Sequence, residues 1–598
     1  MGRAGRPSLF FVVCAGGLLL AASLRPADTY LAWIGVGLLI VAFGTSRRHL
    51  PANLLSAGVA LFCAWLFASA VFFTPQYSAY GVYRPLVIFG GFAAAALLGD
   101  AERKALLHTG AALLALLVLI GLLQVFFGIW SYEADLKRAA AAFATPNTFA
   151  TAINLVLLPL LALVVVGRGG RKAYLALLWL FAGLLSTESR GGWISFAAGL
   201  VFVAAYAGLP KSRDVWARWW YIAAGLLGVL IAYYLIKAAV VTKVLSLGGG
   251  TIAGLFAEDL VERGSSFRLD LANVALKLIA ERPLAGAGSN TFWPLYEMTK
   301  PQELDIGVTF PFVHNDYLQT WVEFGLPGII LLCAIPAVAL TMILRARSAD
   351  EDDPVPLACG AALAGIFMHA AGDFPLYVPF PAMVLGVWLG VLATHAGNAT
   401  WATAARARVG HRMRPVLTPI VLGMLMMAAL VWLGQPAMGE LAARRALGQL
   451  ADGNAENGLY WQSVARRLEP RSGRRYWEEG VIWRNLALAA GDRSLAAKAD
   501  ALFAEGTRVA PYDLNNFAER ARLHRVHAQL LEQPASPEEI LKWTARAREL
   551  RPYMIAAWAE YARALAYAGR IEEARAQARD MVAQHPNSRI ARRLAAEM

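Results

Sequence analysis

The feature that most constrains the fold of this chain is a succession of thirteen apolar stretches in its first 440 residues. Most of them approach the roughly 20 residues that an α-helix needs to cross the hydrocarbon core of a bilayer. A helix also satisfies its own backbone hydrogen bonds, as a membrane-spanning segment must. The sequence therefore predicts an all-α fold, a polytopic bundle of about 12–13 spanning helices. The stretches are 8–24, 28–43, 52–73, 82–98, 105–127, 149–167, 173–187, 191–209, 219–240, 323–344, 354–371, 377–395 and 413–435.

The composition agrees with a membrane protein. Of the 598 residues, 58% are apolar and only 16% are charged, whereas soluble domains carry about 25% charged residues. This balance excludes a soluble enzyme, a disordered chain and a secreted disulfide scaffold. The four cysteines all lie inside apolar stretches and form no CxxC motif: Cys14, Cys63, Cys333 and Cys359. We therefore expect neither disulfides nor a structural metal.

The basic residues indicate how the chain is oriented. The net charge is +13, but the Lys and Arg residues of the apolar part fall mainly in every second loop. Loops on the cytoplasmic side of a membrane carry such an excess, so we do not expect nucleic-acid binding. The pattern places the amino terminus in the cytoplasm. It places the long loop at 241–320 and the tail at 440–598 on the opposite face.

The carboxyl-terminal tail is rich in Ala, Arg and Glu and has helical periodicity. Four prolines recur in it at spacings of 41, 41 and 34 residues: Pro470, Pro511, Pro552 and Pro586. Around the last of them, Trp558, Tyr561 and Ala574 match a 34-residue tetratricopeptide repeat. We predict an α-solenoid of helix pairs that binds a protein partner. The alternative is a cap on the membrane helices without a ligand.

The predicted domains follow from these boundaries. They are amino-terminal transmembrane helices at 1–240, a large outer loop at 241–320, carboxyl-terminal transmembrane helices at 321–436 and the repeat tail at 440–598.

Polar segments at the predicted outer face are functional candidates, because ionisable residues are costly beside lipid. In the segment 186–193, Arg190 precedes two glycines that allow close backbone approach, and its guanidinium suits phosphate oxygens. The alternative is an interfacial arginine paired with Glu188. In the long loop, Arg268 lies on a helical run, and its alternative is a solvated charge. The glycine turn at 286–288 lacks a βαβ context, so we reject a dinucleotide-binding fold.

His314 is the only histidine of the long loop, and imidazole can act as a base or a hydrogen-bond orienter near neutral pH. Asp316 and Glu323 are candidates to hold its ring or to cap the next helix. Asp373, in the turn at 372–375, could orient a base or pair with an arginine. Asn147 is a weaker candidate. The alternative for His314 is a purely structural histidine, and the alternative for Asp373 is an aspartate that only stabilises the turn. The alternative for Asn147 is an N-cap.

Together these segments resemble the O-antigen ligase and polymerase superfamily of bacterial envelope enzymes, over roughly residues 80–395. The matching motifs are Ser189-Arg190-Gly191-Gly192-Trp193, Arg268 with the segment 282–288, the segment 314–328 and the segment 145–150. The resemblance implies a GT-C-like membrane glycosyltransferase that needs neither a metal nor another cofactor. It implies a donor glycan on undecaprenyl diphosphate, used at the periplasmic face of the bacterial inner membrane.

The candidate residues suit this chemistry. Without a metal, preorganised arginines are the groups available to neutralise a diphosphate leaving group, so we assign Arg190 and Arg268 to the diphosphate. We assign His314 to the acceptor hydroxyl, as general base or positioning group. Supporting roles are predicted for four residues: Asp316, Asp373, Glu323 and Asn147.

The acceptor stays open at the level of the sequence. In the superfamily it is lipid A-core, another lipid-linked glycan or a protein serine or threonine. Lipid A-core ligases usually end after the membrane helices, so the repeat tail departs from them. A protein O-oligosaccharyltransferase is the first alternative. A polysaccharide transporter and a non-catalytic assembly scaffold are more distant alternatives.

Overall fold

In the computed structural model, all regular structure of the described residues is helical, which confirms the predicted all-α class. The described residues are 6–24, 29–45, 50–51, 53–73, 83–129, 138–207, 213–248, 259–304, 310–349, 353–395, 434–435 and 438–598.

The chain divides into two compact units. The first, which we call the apolar unit, consists of Met1–Ser69, Gly81–Ala287 and Phe312–Gly434. The second, which we call the repeat unit, consists of Ala70–Tyr80, Gly288–Pro311 and Gln435–Met598. The repeat unit therefore combines the carboxyl-terminal tail with part of the long loop.

The helices are numbered here in chain order. They are α1 (Arg6–Leu24), α2 (Thr29–Thr45), α3 (Leu54–Ala68), α4 (Tyr83–Leu97), α5 (Asp100–Phe127), α6 (Pro146–Val165), α7 (Arg171–Thr187), α8 (Arg190–Ala207), α9 (Arg213–Gly248), α10 (Asp259–Glu281), α11 (Phe292–Thr299), α12 (Asp316–Ala349), α13 (Pro354–His369), α14 (Pro379–His395), α15 (438–451), α16 (Ala455–Leu468), α17 (Gly473–Ala490), α18 (Arg493–Val509), α19 (Leu514–Val526), α20 (Pro537–Leu550), α21 (Ile555–Tyr567), α22 (Ile571–Gln584) and α23 (Arg589–Glu597). A π-helical turn (Ser69–Phe73) follows α3, and 3₁₀ turns lie at Gln302–Leu304, Pro375–Tyr377 and Ala528–Leu530.

Helices occupy twelve of the thirteen predicted apolar stretches. The thirteenth, 413–435, lies outside the described residues except for its last two. Among the described residues, five helical segments are long and apolar enough to cross a membrane: Asp100–Phe127, Pro146–Val165, Arg190–Ala207, Val215–Ala239 and Asp316–Arg347. Shorter apolar helices are Leu9–Ser23, Leu54–Ala68, Arg84–Leu97, Pro354–His369 and Pro379–His395.

Glycines allow α4 and α14 to pack with their backbones in contact. A Cβ atom on Gly91 would lie 2.2 Å from the carbonyl oxygen of Met383. A Cβ atom on Gly386 would likewise lie 2.2 Å from the carbonyl oxygen of Ile88. Small residues permit this close approach where helices pack in a membrane. Any larger side chain at either glycine would push the two helices apart.

Helix α6 is the most buried of the five long apolar segments, with 78% of its apolar window buried. Thr145 caps its amino terminus by accepting a hydrogen bond from the Thr148 backbone, and Pro146 follows at the first helical position, which suits proline. The Asn154 side chain donates to the Gly192 carbonyl on α8 at 2.8 Å. The Trp388 indole of α14 donates to the Leu155 carbonyl at 2.9 Å. Helix α6 therefore anchors both neighbouring helices.

The tail folds as the helix pairs that its prolines predict. Each of the four regularly spaced prolines comes two residues after the last residue of a helix: α16, α18, α20 and α22. Proline is common at this position because it cannot continue a helix. In the last pair, the Trp558 indole donates to Gln577 Oε1 at 2.8 Å, and Ala574 is fully buried.

Part of the long loop packs against the repeats within the repeat unit. Arg551, directly after α20, pairs with Glu297 of α11 at 2.8 Å. Its guanidinium also lies 4.9 Å from the ring centroid of Trp293. Lys300 pairs with the same Glu297 carboxylate at 2.9 Å. This largely buried ionic cluster attaches helix α11 to the tail.

We expect Arg551→Ala to loosen α11 from the repeats. Removing one partner of a buried ion pair is destabilising because the remaining buried charge loses compensation, so amide hydrogen exchange in 292–304 should accelerate about tenfold or more. The measurement is hydrogen–deuterium exchange mass spectrometry on the full chain. Arg593→Ala is the matched control, because its ion pair with Glu597 is exposed. Equal exchange in the two variants would contradict the attachment.

Candidate active site

His314 lies two residues before the start of α12 and has an unusual backbone. Its φ of 57° is in the left-handed region, which costs a non-glycine residue about 1–2 kcal/mol. The Asn315 side chain accepts hydrogen bonds from the backbone nitrogens of Tyr317 and Leu318 and thereby caps the helix. The chain therefore turns sharply at His314, and the half-buried imidazole points to the turn that follows α13.

The Asp373 carboxylate lies between two histidines. Its Oδ1 atom is 3.2 Å from Nδ1 of His314, and its Oδ2 atom is 3.8 Å from Nε2 of His369. Burial raises the pKa of Asp373, but hydrogen bonds and charge interactions with the two imidazoles outweigh burial and leave its pKa below the usual value. Asp373 is therefore ionised at neutral pH and can only accept hydrogen bonds.

Backbone contacts hold the Asp373 turn against the start of α12. The Asp316 nitrogen donates to the Ala370 carbonyl at 2.8 Å, and the Asn315 side chain donates to the Ala371 carbonyl at 2.9 Å. In return, the Leu376 nitrogen donates to Oδ2 of Asp316 at 2.9 Å. These three bonds fix the separation between His314 and Asp373.

The segment with Arg190 approaches the cluster of His314, Asp373 and His369 through its first glycine. A Cβ atom on Gly191 would lie 3.0 Å from Nε2 of His369, so glycine permits the close approach that the sequence predicts. Arg190 is the first residue of α8 and is exposed. Within the described ranges, no hydrogen bond or ion pair engages its guanidinium. Glu188 is not its partner, since Glu188 pairs with Lys237 of α9.

Asn147 connects the start of α6 to the turn before α8. Its Oδ1 atom accepts hydrogen bonds from Ser189 at 2.8 Å and from Arg138 at 3.2 Å. Thr145, and not Asn147, is the N-cap of α6. The N-cap interpretation of Asn147 is therefore wrong. The side chain instead holds the residue next to Arg190.

Arg268 is half-buried on α10, and no hydrogen bond or ion pair among the described residues joins it to Arg190 or His314. The turn after α10 is held against α12 by two glycines with positive φ, Gly286 and Gly325. A Cβ atom on Gly286 would lie 2.5 Å from the Gly325 nitrogen. The Leu326 nitrogen also donates to the Pro283 carbonyl at 3.0 Å. The glycine turn thus holds the end of α10 near α12.

The hydrogen bonds that the structure shows for Asp316 and Glu323 join them to groups other than the His314 ring. Glu323 accepts hydrogen bonds from Gln319 at 3.1 Å and from the Tyr377 hydroxyl at 2.9 Å. The Arg84 guanidinium lies 3.7 Å from the Tyr377 ring centroid. The two carboxylates therefore belong to a buried network of their own. This network connects α4, α12 and the turn at Pro375–Tyr377.

Two residues of these networks were not predicted from the sequence as site residues. His369 is only 1% exposed and bonds Thr151 of α6 through Nδ1 at 3.2 Å. Arg84 is only 2% exposed and donates to the Thr320 hydroxyl at 3.3 Å. A polar residue inside an apolar stretch was the available signal in both cases. Among the described residues, no three His, Cys, Asp or Glu side chains are placed to hold a metal ion.

Comparisons with known proteins show which parts of the chain are similar to described families. Residues 175–333 match the family model described as O-Antigen ligase, and residues 555–598 match the Tetratricopeptide repeat model. The first match contains Arg190, Arg268 and His314. The two matches confirm the resemblance predicted from the sequence. With the apolar helices, they indicate a multi-pass membrane protein in which one segment is similar to O-antigen ligases and the tail is similar to tetratricopeptide repeats.

One relative is the Exopolysaccharide production protein ExoQ of Rhizobium meliloti (strain 1021). It is 24% identical over 239 residues, which are 35% of this chain and 52% of that protein. The chain thus spans about half the length of this relative. The crystal structure of the yeast Tom70 aligns with 73% of this chain and 94% of its own, at 12% identity. Its TM-score of 0.18 is too low to support an argument. The two matches are therefore to a family described as O-antigen ligase and to a protein named for exopolysaccharide production.

We expect Asp373→Asn to destabilise the apolar unit by about 1–3 kcal/mol at neutral pH, because it removes the charge that two imidazoles face. The lowered pKa of Asp373 makes its contribution complete above the pKa of an unfolded aspartate, about 3.9. The contribution declines only as the pH falls from there towards the folded-state pKa. The difference from wild type should therefore persist from pH 7 to pH 5.

The measurement is thermal unfolding of the full chain in detergent at a series of pH values. Asp270→Asn is the control, because no hydrogen bond or ion pair involves the Asp270 side chain within the described ranges. If the stability difference between Asp373→Asn and wild type disappears by about pH 6, Asp373 takes up a proton near neutrality, and the prediction is wrong.

Proposed function

We propose that this chain transfers a glycan from undecaprenyl diphosphate to an acceptor hydroxyl at the periplasmic face of the inner membrane. The observation that supports this most is the hydrogen bond from His314 to the buried, ionised Asp373. A carboxylate can only accept, so Nδ1 of His314 carries the proton of this bond. The lone pair of the ring is then on Nε2, which is the atom available to a substrate.

The proposed reaction is a direct displacement. Nε2 of His314 accepts the proton of the acceptor hydroxyl while its oxygen attacks the anomeric carbon of the donor sugar. The bond from that carbon to the diphosphate oxygen breaks, and undecaprenyl diphosphate leaves with the electron pair. Asp373 stabilises the imidazolium that forms, as a carboxylate does in other base–orienter pairs. One displacement inverts the anomeric configuration, which NMR of the donor and product linkages can test.

Arg190 and Arg268 are proposed to neutralise the leaving diphosphate. Arg190 is exposed at the amino terminus of α8, where backbone N–H groups and the helix dipole also favour an anion. Its glycine neighbour lies against His369, which joins this arginine to the cluster that holds His314. Arg268 belongs to a helix that the turn at Gly286 attaches to α12, the helix that begins beside His314.

The periplasmic placement and the acceptor are also proposals. Helix α11 of the long loop belongs to the same unit as the tail, which supports one membrane face for both. The name of ExoQ refers to exopolysaccharide production, which favours a growing polysaccharide as acceptor over lipid A-core. The tetratricopeptide match favours a protein partner for the tail. It makes protein O-glycosylation the second candidate.

We expect His314→Ala to lower the transfer rate by about 10²–10⁴-fold, the usual contribution of a positioned base. The assay uses purified full-length protein, a lipid-diphosphate-linked glycan and each acceptor class in parallel. The control is His108→Ala, which changes an exposed histidine of α5. Unchanged transfer in His314→Ala would contradict catalysis. Surface glycan that is lost only on deletion of residues 440–598 would favour an assembly scaffold.

We expect Arg190→Gln to lower the transfer rate about 10²–10³-fold, the usual effect of removing one group that stabilises developing charge. Because no described residue is bonded to its guanidinium, thermal unfolding should not change. Arg345→Gln, at an exposed position near the end of α12, is the matched control. A rate within twofold of wild type would exclude Arg190 from the diphosphate site.

A further inference from the structure

A second group of basic residues lies at the opposite end of the apolar unit from His314. Helix α6 begins at the Asn147–Ser189 contact and ends at Val165, so its 20 residues span about 30 Å. At its far end, α6, α7 and α9 surround an open cavity of about 480 Å³. This is within the size range of small-molecule sites. None of the residues proposed for glycan transfer lies there.

Both cationic and apolar side chains line the cavity. Arg171 and Arg218 line it, together with Tyr174, Tyr221 and Ile222. The adjoining segment 166–172 runs from the end of α6 into the start of α7 and contains no acidic residue. It reads Val-Gly-Arg-Gly-Gly-Arg-Lys. A guanidinium presents a planar fork of donors that matches phosphate oxygens. This combination suits an amphiphile with a phosphate group.

The backbone is shaped to hold one of these arginines in place. Nη1 of Arg218 donates to the Val165 carbonyl at 3.2 Å. Gly167, with a φ of +74°, lies so close that a Cβ atom there would be 2.4 Å from Nη1 of Arg218. The Tyr174 hydroxyl donates to the Tyr221 carbonyl at 2.8 Å and joins α7 to α9. The cavity wall is therefore fixed rather than formed by loose surface side chains.

The start of α7 adds an electrostatic imbalance. Gly170 occupies the N-cap position and offers no side-chain acceptor to the first backbone N–H groups. The next two residues are Arg171 and Lys172, and both are exposed. Cations at a helix amino terminus are unfavourable because the helix dipole is positive there. A bound anion would satisfy the free N–H groups and offset this repulsion.

Aromatic residues indicate that the cavity lies at the level of lipid head groups. On α9, Trp216, Trp220 and Tyr221 are 49%, 70% and 71% exposed, and the segment Val215–Ala239 is apolar enough to cross a membrane. Trp and Tyr concentrate at the interfaces of membranes, where a ring can contact both acyl chains and water. Arg218 lies between these aromatics in the sequence.

We propose that this cavity binds the phosphate group of an anionic phospholipid, in the leaflet opposite the transfer site. The two guanidiniums and the start of α7 contact the phosphate, while the tyrosine rings and Ile222 contact the glycerol and upper acyl chains. The inference does not depend on the proposed glycan transfer. Inorganic phosphate offers the same anionic oxygens without the apolar part.

The test is native mass spectrometry and thermal unfolding of delipidated full-length protein in neutral detergent. Short-chain phosphatidylglycerol, short-chain phosphatidylcholine and inorganic phosphate are added separately. We expect phosphatidylglycerol to bind and to raise the unfolding temperature, with phosphatidylcholine and phosphate much weaker. Arg218→Gln and Arg171→Gln should each weaken phosphatidylglycerol binding about tenfold, the scale of one charge-assisted hydrogen bond. Arg345→Gln, an exposed arginine outside the cavity, should not.

Arg171→Gln keeps the test valid if Arg218→Gln fails to fold, since no described residue is bonded to the Arg171 side chain. Phosphate that binds as tightly as phosphatidylglycerol, with the same loss in both variants, would identify a free anion as the ligand and overturn the lipid assignment. Equal binding of the two lipids, or binding unaffected by Arg171→Gln and Arg218→Gln, would overturn the site itself.

Discussion

The carboxylate of Asp373, placed between two imidazoles, is the interaction on which the candidate site depends. It joins His314, two residues before α12, to His369, the last residue of α13 and 55 positions later in the sequence. Because the carboxylate stays ionised, it determines which nitrogen of His314 carries a proton. The same contact restrains a histidine whose backbone has an unfavourable positive φ. The Asp373 contact thus helps to set the position and the tautomer of His314 and to keep its strained backbone in place.

Glycines bring the remaining segments to this cluster. Gly191 lets the start of α8 lie against His369, and Gly286 and Gly325 let the turn after α10 lie against α12. In each case a Cβ atom would meet a neighbouring residue at 3.0 Å or less. Glycines therefore let short motifs that are far apart in the sequence approach one another closely.

The sequence predicted the helices well, because length and apolar content determine which segments can cross a membrane. It also singled out His314 and Asp373 in polar turns, and the structure places these two side chains within hydrogen-bond distance. It missed His369 because the residue is inside an apolar stretch, and its contact with Thr151 spans 218 residues. The alternative that Arg190 pairs with Glu188, which is near it in sequence, is wrong because Glu188 bonds Lys237 on another helix. Such partners depend on how helices pack, which local patterns do not specify.

The central claim is that His314, Arg190 and Arg268 act on one lipid-linked substrate. An electron cryomicroscopy structure of the full chain with a non-hydrolysable undecaprenyl-diphosphate glycan tests it most directly. The account predicts diphosphate oxygens within about 3 Å of both guanidiniums, and the anomeric carbon on the Nε2 side of His314. A donor whose diphosphate contacts neither arginine, or whose sugar lies on the far side of the helices from His314, would contradict it.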